Sequence, residues 1–269
     1  MQEIRSTRYS FLGGGIIAGV FIERLLKGGE VPAGNVLATD IRPERLEMLC
    51  GEFGIRTSAS NTEGAAFGDV VFLAVPPNAV RPVLAEVGDK LRPDVLVVSL
   101  AAAVPTAVME EAAGRQIPVV RVIPNTPSLI GAGMNPHCLG RYLRPEDPPF
   151  VERLLALFGA TIQVEERLMN AATALTAVGP TYLFPVIKTL RDAAVRLGLP
   201  EGQAQQAAAQ TVLGAAQLVL ATRQDPDVLK AMIGLRTLNE EEAQRLFATA
   251  VETAFEKLSA TEKKLAAQS

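Results

Sequence analysis

The chain has 269 residues, 48% of them hydrophobic, enough apolar side chains for a large core and two domains. A net charge of −3 with no block of lysine or arginine argues against a nucleic-acid partner, which requires a concentrated basic surface. Two cysteines, Cys50 and Cys138, exclude a disulfide framework, and with a single histidine, His137, no metal site is expected.

The opening stretch, MQEIRSTRYS, lacks the basic-then-apolar pattern of a signal peptide, so a cytoplasmic location is expected. Over residues 1–164 short apolar runs alternate with amphipathic segments. Strands are expected at Tyr9–Leu12, Val36–Asp40, Val70–Val75, Val95–Ser99 and Val119–Ile123, and helices at Ile16–Lys27, Pro43–Phe53, Val80–Lys90 and Thr106–Ala113. Unbroken runs such as DVVFLAV and VLVVS suit strands covered on both faces. Strand–helix alternation of this kind makes a doubly wound, Rossmann-type α/β sheet.

From Glu165 no strand-like run survives, and helix-length segments follow at Glu165–Leu197, Glu201–Thr222, Pro226–Met232 and Asn239–Ala266. Gly198 reads as a helix stop and Pro200 as the next start. Two uncharged stretches, Leu168–Ile187 and Gly202–Thr222, are long enough to cross a bilayer. The first contains Asn170, Gly179, Pro180 and Pro185 and the second five glutamines, so both are expected to be buried by protein and no membrane contact is expected. The expected organisation is a dinucleotide-binding domain over 1–164 and an all-helical dimerisation and substrate domain over 165–269.

The run FLGGGIIA meets the pattern G-x-G-x-x-A with Gly13, Gly15 and Ala18, between a strand and a helix, the context that a dinucleotide fingerprint requires. Gly13 permits the tight turn, Gly15 lets the backbone approach a pyrophosphate, and Ala18 lets helix pack closely on strand. Asp40 ends the second strand twenty-five residues after Gly15, where a carboxylate can accept the ribose hydroxyls of NAD. Arg42 beside it can instead pair with the 2′-phosphate of NADP. Both cofactors stay open on these residues.

With RVIPNTPSLIGAGM (121–134), ATALTAVGPTYLF (172–184), LAVPP (73–77), SLAAAVP (99–105) and LGLPEGQAQQAAAQTVLGAAQLV (197–219), the chain resembles the pyrroline-5-carboxylate reductase family nearly end to end. The resemblance implies hydride transfer from NAD(P)H, with NADPH favoured, to the C=N carbon of a cyclic imino acid, yielding L-proline. It implies a homodimer, or an assembly of dimers, with interlocking helical domains. Carried over by position, Gly13, Gly15, Ile16, Ile17 and Ala18 would hold the pyrophosphate, and Asn61 would lie near the adenosine ribose. Ala74, Val75 and Pro76 would line the cofactor groove, while Ala101, Ala102, Pro124 and Asn125 would approach the nicotinamide. Substrate-site candidates are Asn125, Thr126, Thr176, Gly179, Pro180 and Thr181, with no acid or base assigned.

Three departures from the family pattern stand out. Pro76 occupies a position that is usually lysine. TAVGPTY (176–182) replaces SGSGPAY, keeping Gly179, Pro180 and Tyr182 but losing two serines. The Ser-Pro-Gly-Gly-Thr-Thr loop, which in the family supplies amides and hydroxyls to the substrate carboxylate, has no counterpart in DVLKAMIGLRTLNEEE (227–242). Two further readings therefore stand beside the reductase of pyrroline-5-carboxylate: a reductase of another imine, and a nucleotide-binding regulatory or assembly protein without catalysis.

Overall fold

The computed structural model describes residues 3–267, which fall into two compact units: residues up to Val178 together with those from Ala254 on, and Gly179–Thr253. In the first unit β1 (Tyr9–Leu12), β2 (Val36–Thr39), β3 (Arg56–Ser58), β4 (Val70–Leu73), β5 (Leu96–Ser99), β6 (Val119–Val122), β7 (Gly133–Leu139) and β8 (Gly159–Gln163) form one sheet. The strand order is β3-β2-β1-β4-β5-β6-β7-β8, and every neighbouring pair is parallel except β6 with β7.

Alternate side chains of the central strands feed two cores. Tyr9, Phe11, Val70, Phe72, Leu96 and Val98 pack with Phe21 and Ile22 of α1 (Ile16–Leu26), Leu49 of α2 (Pro43–Phe53) and Leu154 of α6 (Asp147–Ala156). Leu12, Val71, Leu73 and Val97 pack on the other face with Ala65 of α3 (Asn61–Phe67), Leu84 of α4 (Val80–Val87) and Met109 of α5 (Thr106–Ala112). Burial on both faces is what the unbroken apolar runs require. Phe11 and Phe72 stack at 4.5 Å between ring centroids, and Phe21 stacks on Phe158 at 3.9 Å.

The sheet is wider than the five expected strands. β3 is Arg-Thr-Ser, β8 is a mostly exposed edge, and β7 contains Asn135, Pro136 and His137. Their place comes from pairing with a preformed sheet rather than from any apolar run of their own. The expected strands also end sooner than their apolar runs. Asp40, Ala74, Val75 and Ile123 lie just past β2, β4 and β6.

The expected helix over Glu165–Leu197 is broken in three. A 3-10 turn at Glu166–Leu168 leads into α7 (Met169–Thr176), and α8 (Pro180–Arg196) restarts with Pro180 in its first turn. Pro180 has no N–H to donate to the Thr176 carbonyl, so the helical hydrogen-bond ladder is interrupted there although Gly179 keeps helical angles (φ −46°, ψ −45°). In the second unit α8 packs on α9 (Glu201–Thr222), with α10 (Pro226–Lys230) and the start of α11 (Glu240–Ala266) following. Gly198 has φ +101°, closing α8, and Pro200 precedes α9. α8 and α11 contain no fully buried residue, and Leu213, Leu220 and Phe184 stand exposed. No helix among the described residues is long and apolar enough to cross a membrane.

Candidate functional site

The loop between β1 and α1 is a backbone cradle. Gly13 has φ +100° and donates its N–H to the Thr39 carbonyl at 3.0 Å, and a Cβ there would lie 2.7 Å from the Ala74 carbonyl oxygen. Around Gly15 a Cβ would meet nothing within 4 Å, so the backbone faces open space at that point. Gly15 caps α1 with no side-chain hydrogen bond, leaving the first amides of the helix for an outside anion. Ala18 is fully buried beneath the loop.

Charged side chains fix the cradle. Asp40 Oδ2 accepts the Gly14 N–H at 3.0 Å, and its Oδ1 accepts both the Arg42 N–H and Nε at 3.0 Å. Burial works against the Asp40 charge, but the Arg42 guanidinium and the amides of Arg42 and Gly14 outweigh it and hold the carboxyl below its ordinary range. Arg45 donates to the carbonyls of Gly14 and Gly15. Thr39 Oγ1 donates to Asn61 Oδ1 at 2.8 Å, and Asn61 Nδ2 donates to Glu86 at 3.2 Å.

A cleft of about 720 Å³ opens above this cradle. Its wall contains Gly13, Gly15, Ile17, Asp40, Arg42, Asn61, Ala74, Val75, Pro76, Ala101 and Ala102, joined by Asn78 and Leu100. These residues follow the carboxyl ends of β1, β2, β3, β4 and β5. The sheet reverses its strand order between β1 and β4, and that switch point is where open α/β sheets take ligands.

The remaining expected residues lie elsewhere. Ile16 is exposed at the start of α1, and Pro124 and Asn125 follow β6 outside the wall of this cleft. Asn125 Nδ2 donates to the Thr176 carbonyl at 3.1 Å, and its Oδ1 accepts the Met134 N–H at 3.2 Å. The Thr176 hydroxyl is buried and donates to the Ala172 carbonyl. Thr126 is exposed and opens a 3-10 turn, while Gly179, Pro180 and Thr181 begin α8 in the second unit. His137 and Cys138 are buried on β7, where burial lowers the imidazole pKa and raises that of the thiol. Among the described residues no three His, Cys, Asp or Glu side chains gather as a metal site.

Arg45 and Asn78 are site residues that the sequence pattern does not reveal. Arg45 carries a weak signal, three positions after Arg42 in the first turn of α2, where both can face the cradle.

Known proteins extend this picture. The family "NADP oxidoreductase coenzyme F420-dependent" matches residues 8–103, and "Pyrroline-5-carboxylate reductase dimerisation" matches residues 166–261. The pyrroline-5-carboxylate reductase of Corynebacterium melassecola is 37% identical over 228 residues, 84% of each chain. This chain belongs to the pyrroline-5-carboxylate reductase family. The pyrroline-5-carboxylate reductase of Methanosarcina acetivorans is 32% identical over 263 residues, 94% of this chain and 97% of that one. A solved pyrroline-5-carboxylate reductase from Coxiella burnetii superposes with a TM-score of 0.81 at 29% identity, covering 96% of this chain and 99% of the other. Family membership therefore spans both the glycine cradle and the helical segment.

Proposed function

We propose that this chain is an NAD(P)H-dependent oxidoreductase that reduces pyrroline-5-carboxylate to L-proline. The observation that carries the reading is the open cradle at Gly15, set at the sheet's switch point in a chain of this family. A dinucleotide fits there: the first amides of α1 take the pyrophosphate, Asp40, Arg42 and Asn61 take the adenosine end, and Ala101 and Ala102 take the nicotinamide end. When bound, the reduced nicotinamide supplies the hydride. The protein's part is to fix the ring at the β5 end of the cleft and to line that end with apolar groups that keep water out. NADPH is the preferred cofactor, because Arg42 already neutralises Asp40 and can turn to a 2′-phosphate.

Residues 1–164 serve as the dinucleotide-binding part and 165–269 as the dimerisation and substrate part, with Asn125, Thr126, Thr176, Gly179, Pro180 and Thr181 as substrate-site residues. The chain works as a homodimer or an assembly of dimers. Its two free cysteines suit the reducing cytoplasm.

A second reading has one observation behind it. The stretch between α10 and α11, residues 231–239, has neither the glycine pair nor the hydroxyl pair of the family's carboxylate-binding loop, and it exposes Leu235 and Leu238 instead. That favours an imine lacking the carboxylate. Mixing the purified protein with NADPH and a panel of cyclic imines, and following loss of NADPH absorbance, tests both. Turnover of pyrroline-5-carboxylate supports the first, turnover of uncharged imines alone supports the second, and no turnover with any imine contradicts both.

A further inference from the structure

Arg121 is the largest fully buried side chain, placed in β6 between Val120 and Val122 and in register with Cys138 of β7. Its Nη1 donates to Glu166 Oε1 at 2.5 Å, while Nε and Nη2 have no protein partner. The other Glu166 oxygen, Oε2, accepts the Thr106 N–H at 3.0 Å, the Thr106 hydroxyl at 2.8 Å and the Cys138 thiol at 3.3 Å. Thr106 is the first residue of α5, and Pro105 before it offers no side-chain cap. Glu166 therefore caps α5 from 60 residues away.

The turn that Thr106 closes is unusual. Ala103 has φ +60°, and among the described residues Arg223 is the only other non-glycine residue with positive φ. A left-handed alanine persists only where its surroundings over-determine it. The Ala101 N–H is held by Ser99 Oγ at 3.3 Å at one end, and Thr106 is held by Glu166 at the other. Arg121, wholly desolvated, fixes Glu166 in turn through a charge-assisted bond that is hard to separate. Ala101 and Ala102, in the middle of this clamp, line the cleft at the β5 end, away from Asp40 and Arg42 at β2.

We propose that Glu166, locked by Arg121, is a positioning residue for the reduced dinucleotide, setting the Ala101–Ala103 turn against which the nicotinamide end rests without itself touching the cofactor. This rests on the dinucleotide reading of the cleft. Burial raises the Glu166 pKa, but the Thr106 N–H, Arg121 and the Thr106 hydroxyl together bring it below its ordinary value, so the clamp is charged at neutral pH.

Two ligands separate the ends of the cleft: NADPH, and adenosine 2′,5′-bisphosphate, which has no nicotinamide. Each is titrated calorimetrically into the full-length wild type, Glu166→Gln, Thr106→Val and Thr106→Ser. Thr106→Val removes one hydroxyl bond and leaves Arg121 paired, so it decides the matter alone where Glu166→Gln does not fold. The expected result is a loss of NADPH affinity of at least about fivefold in Thr106→Val, a matching rise in KM for NADPH, unchanged bisphosphate affinity, and recovery in Thr106→Ser. Equal losses for both ligands, or unchanged NADPH affinity in Thr106→Val, overturn the positioning role. A wild type that binds neither ligand overturns the dinucleotide reading itself.

Discussion

A methyl group added at Gly13 would lie 2.7 Å from the Ala74 carbonyl oxygen on a residue with φ +100°, whereas one added at Gly15 would meet no protein atom within 4 Å. Gly13→Ala is therefore expected to destabilise the fold by more than ~1–2 kcal/mol, the cost of the left-handed conformation alone. At about 2–4 °C per kcal/mol for a chain of this size, the melting temperature drops by several degrees. Gly15→Ala leaves it unchanged but places a methyl where the pyrophosphate lies, weakening NADPH binding by about tenfold or more. Thermal melts and NADPH titrations of the two variants read this contrast, and a stable Gly13→Ala or a Gly15→Ala with full affinity contradicts it. Arg42 is half exposed, so its pairing with Asp40 adds little stability and is free to be exchanged for a phosphate. Arg42→Ala should raise the KM for NADPH more than that for NADH, and equal changes would refute its role in choosing between them.

The connection between α10 and α11 shows how far a single element decides substrate choice. If the carboxylate of pyrroline-5-carboxylate has lost two charge-assisted hydrogen bonds at ~1.5–3 kcal/mol each, kcat/KM falls by about 10² to 10⁴ relative to a loop-bearing relative. An uncharged imine such as 1-pyrroline should then be reduced at least as efficiently as pyrroline-5-carboxylate. A strong preference for the carboxylate at ordinary efficiency would show that other residues replaced the loop. Elements with their own chemistry were legible in the sequence: β1, β2, β4, β5 and β6 as short, largely apolar runs, interrupted by Ser10 in β1 and Arg121 in β6, and the Gly13–Ala18 cradle as a turn between a strand and a helix. Asp40 was legible as the carboxylate that ends the second expected strand, whereas Ala74 and Ala101 were implied by the family resemblance. α3 shows a signal present but faint, because Ser60 Oγ accepts the Glu63 N–H at 3.3 Å, half of a capping box spelled Ser-x-x-Glu. β7 and β8 carry no such signal, being strands only through their pairing. Arg45 and Glu166 act on residues far off in the chain, and short-range patterns do not encode such partners.

At the scale of the whole molecule the second unit leaves a large apolar surface uncovered. Leu213 is 50% exposed, Phe184 56% and Leu220 76%, and α9 buries only Ala204 and Ala208. At ~25 cal/mol per Å² of apolar area, covering such surface is strongly favourable, and a second copy of the chain is the expected cover. Light scattering should report a dimer or larger assembly at micromolar concentration, and a stable monomer would contradict it. The central claim is that the cleft delivers a hydride from reduced nicotinamide to the C=N carbon of pyrroline-5-carboxylate. It is tested most directly by supplying the assembled protein with pyrroline-5-carboxylate and NADPH carrying deuterium at the transferable position, then analysing the product by mass spectrometry. The account predicts L-proline with one deuterium on the former imine carbon, formed in step with NADPH oxidation. Proline without deuterium, or NADPH that binds and is never oxidised, would contradict it.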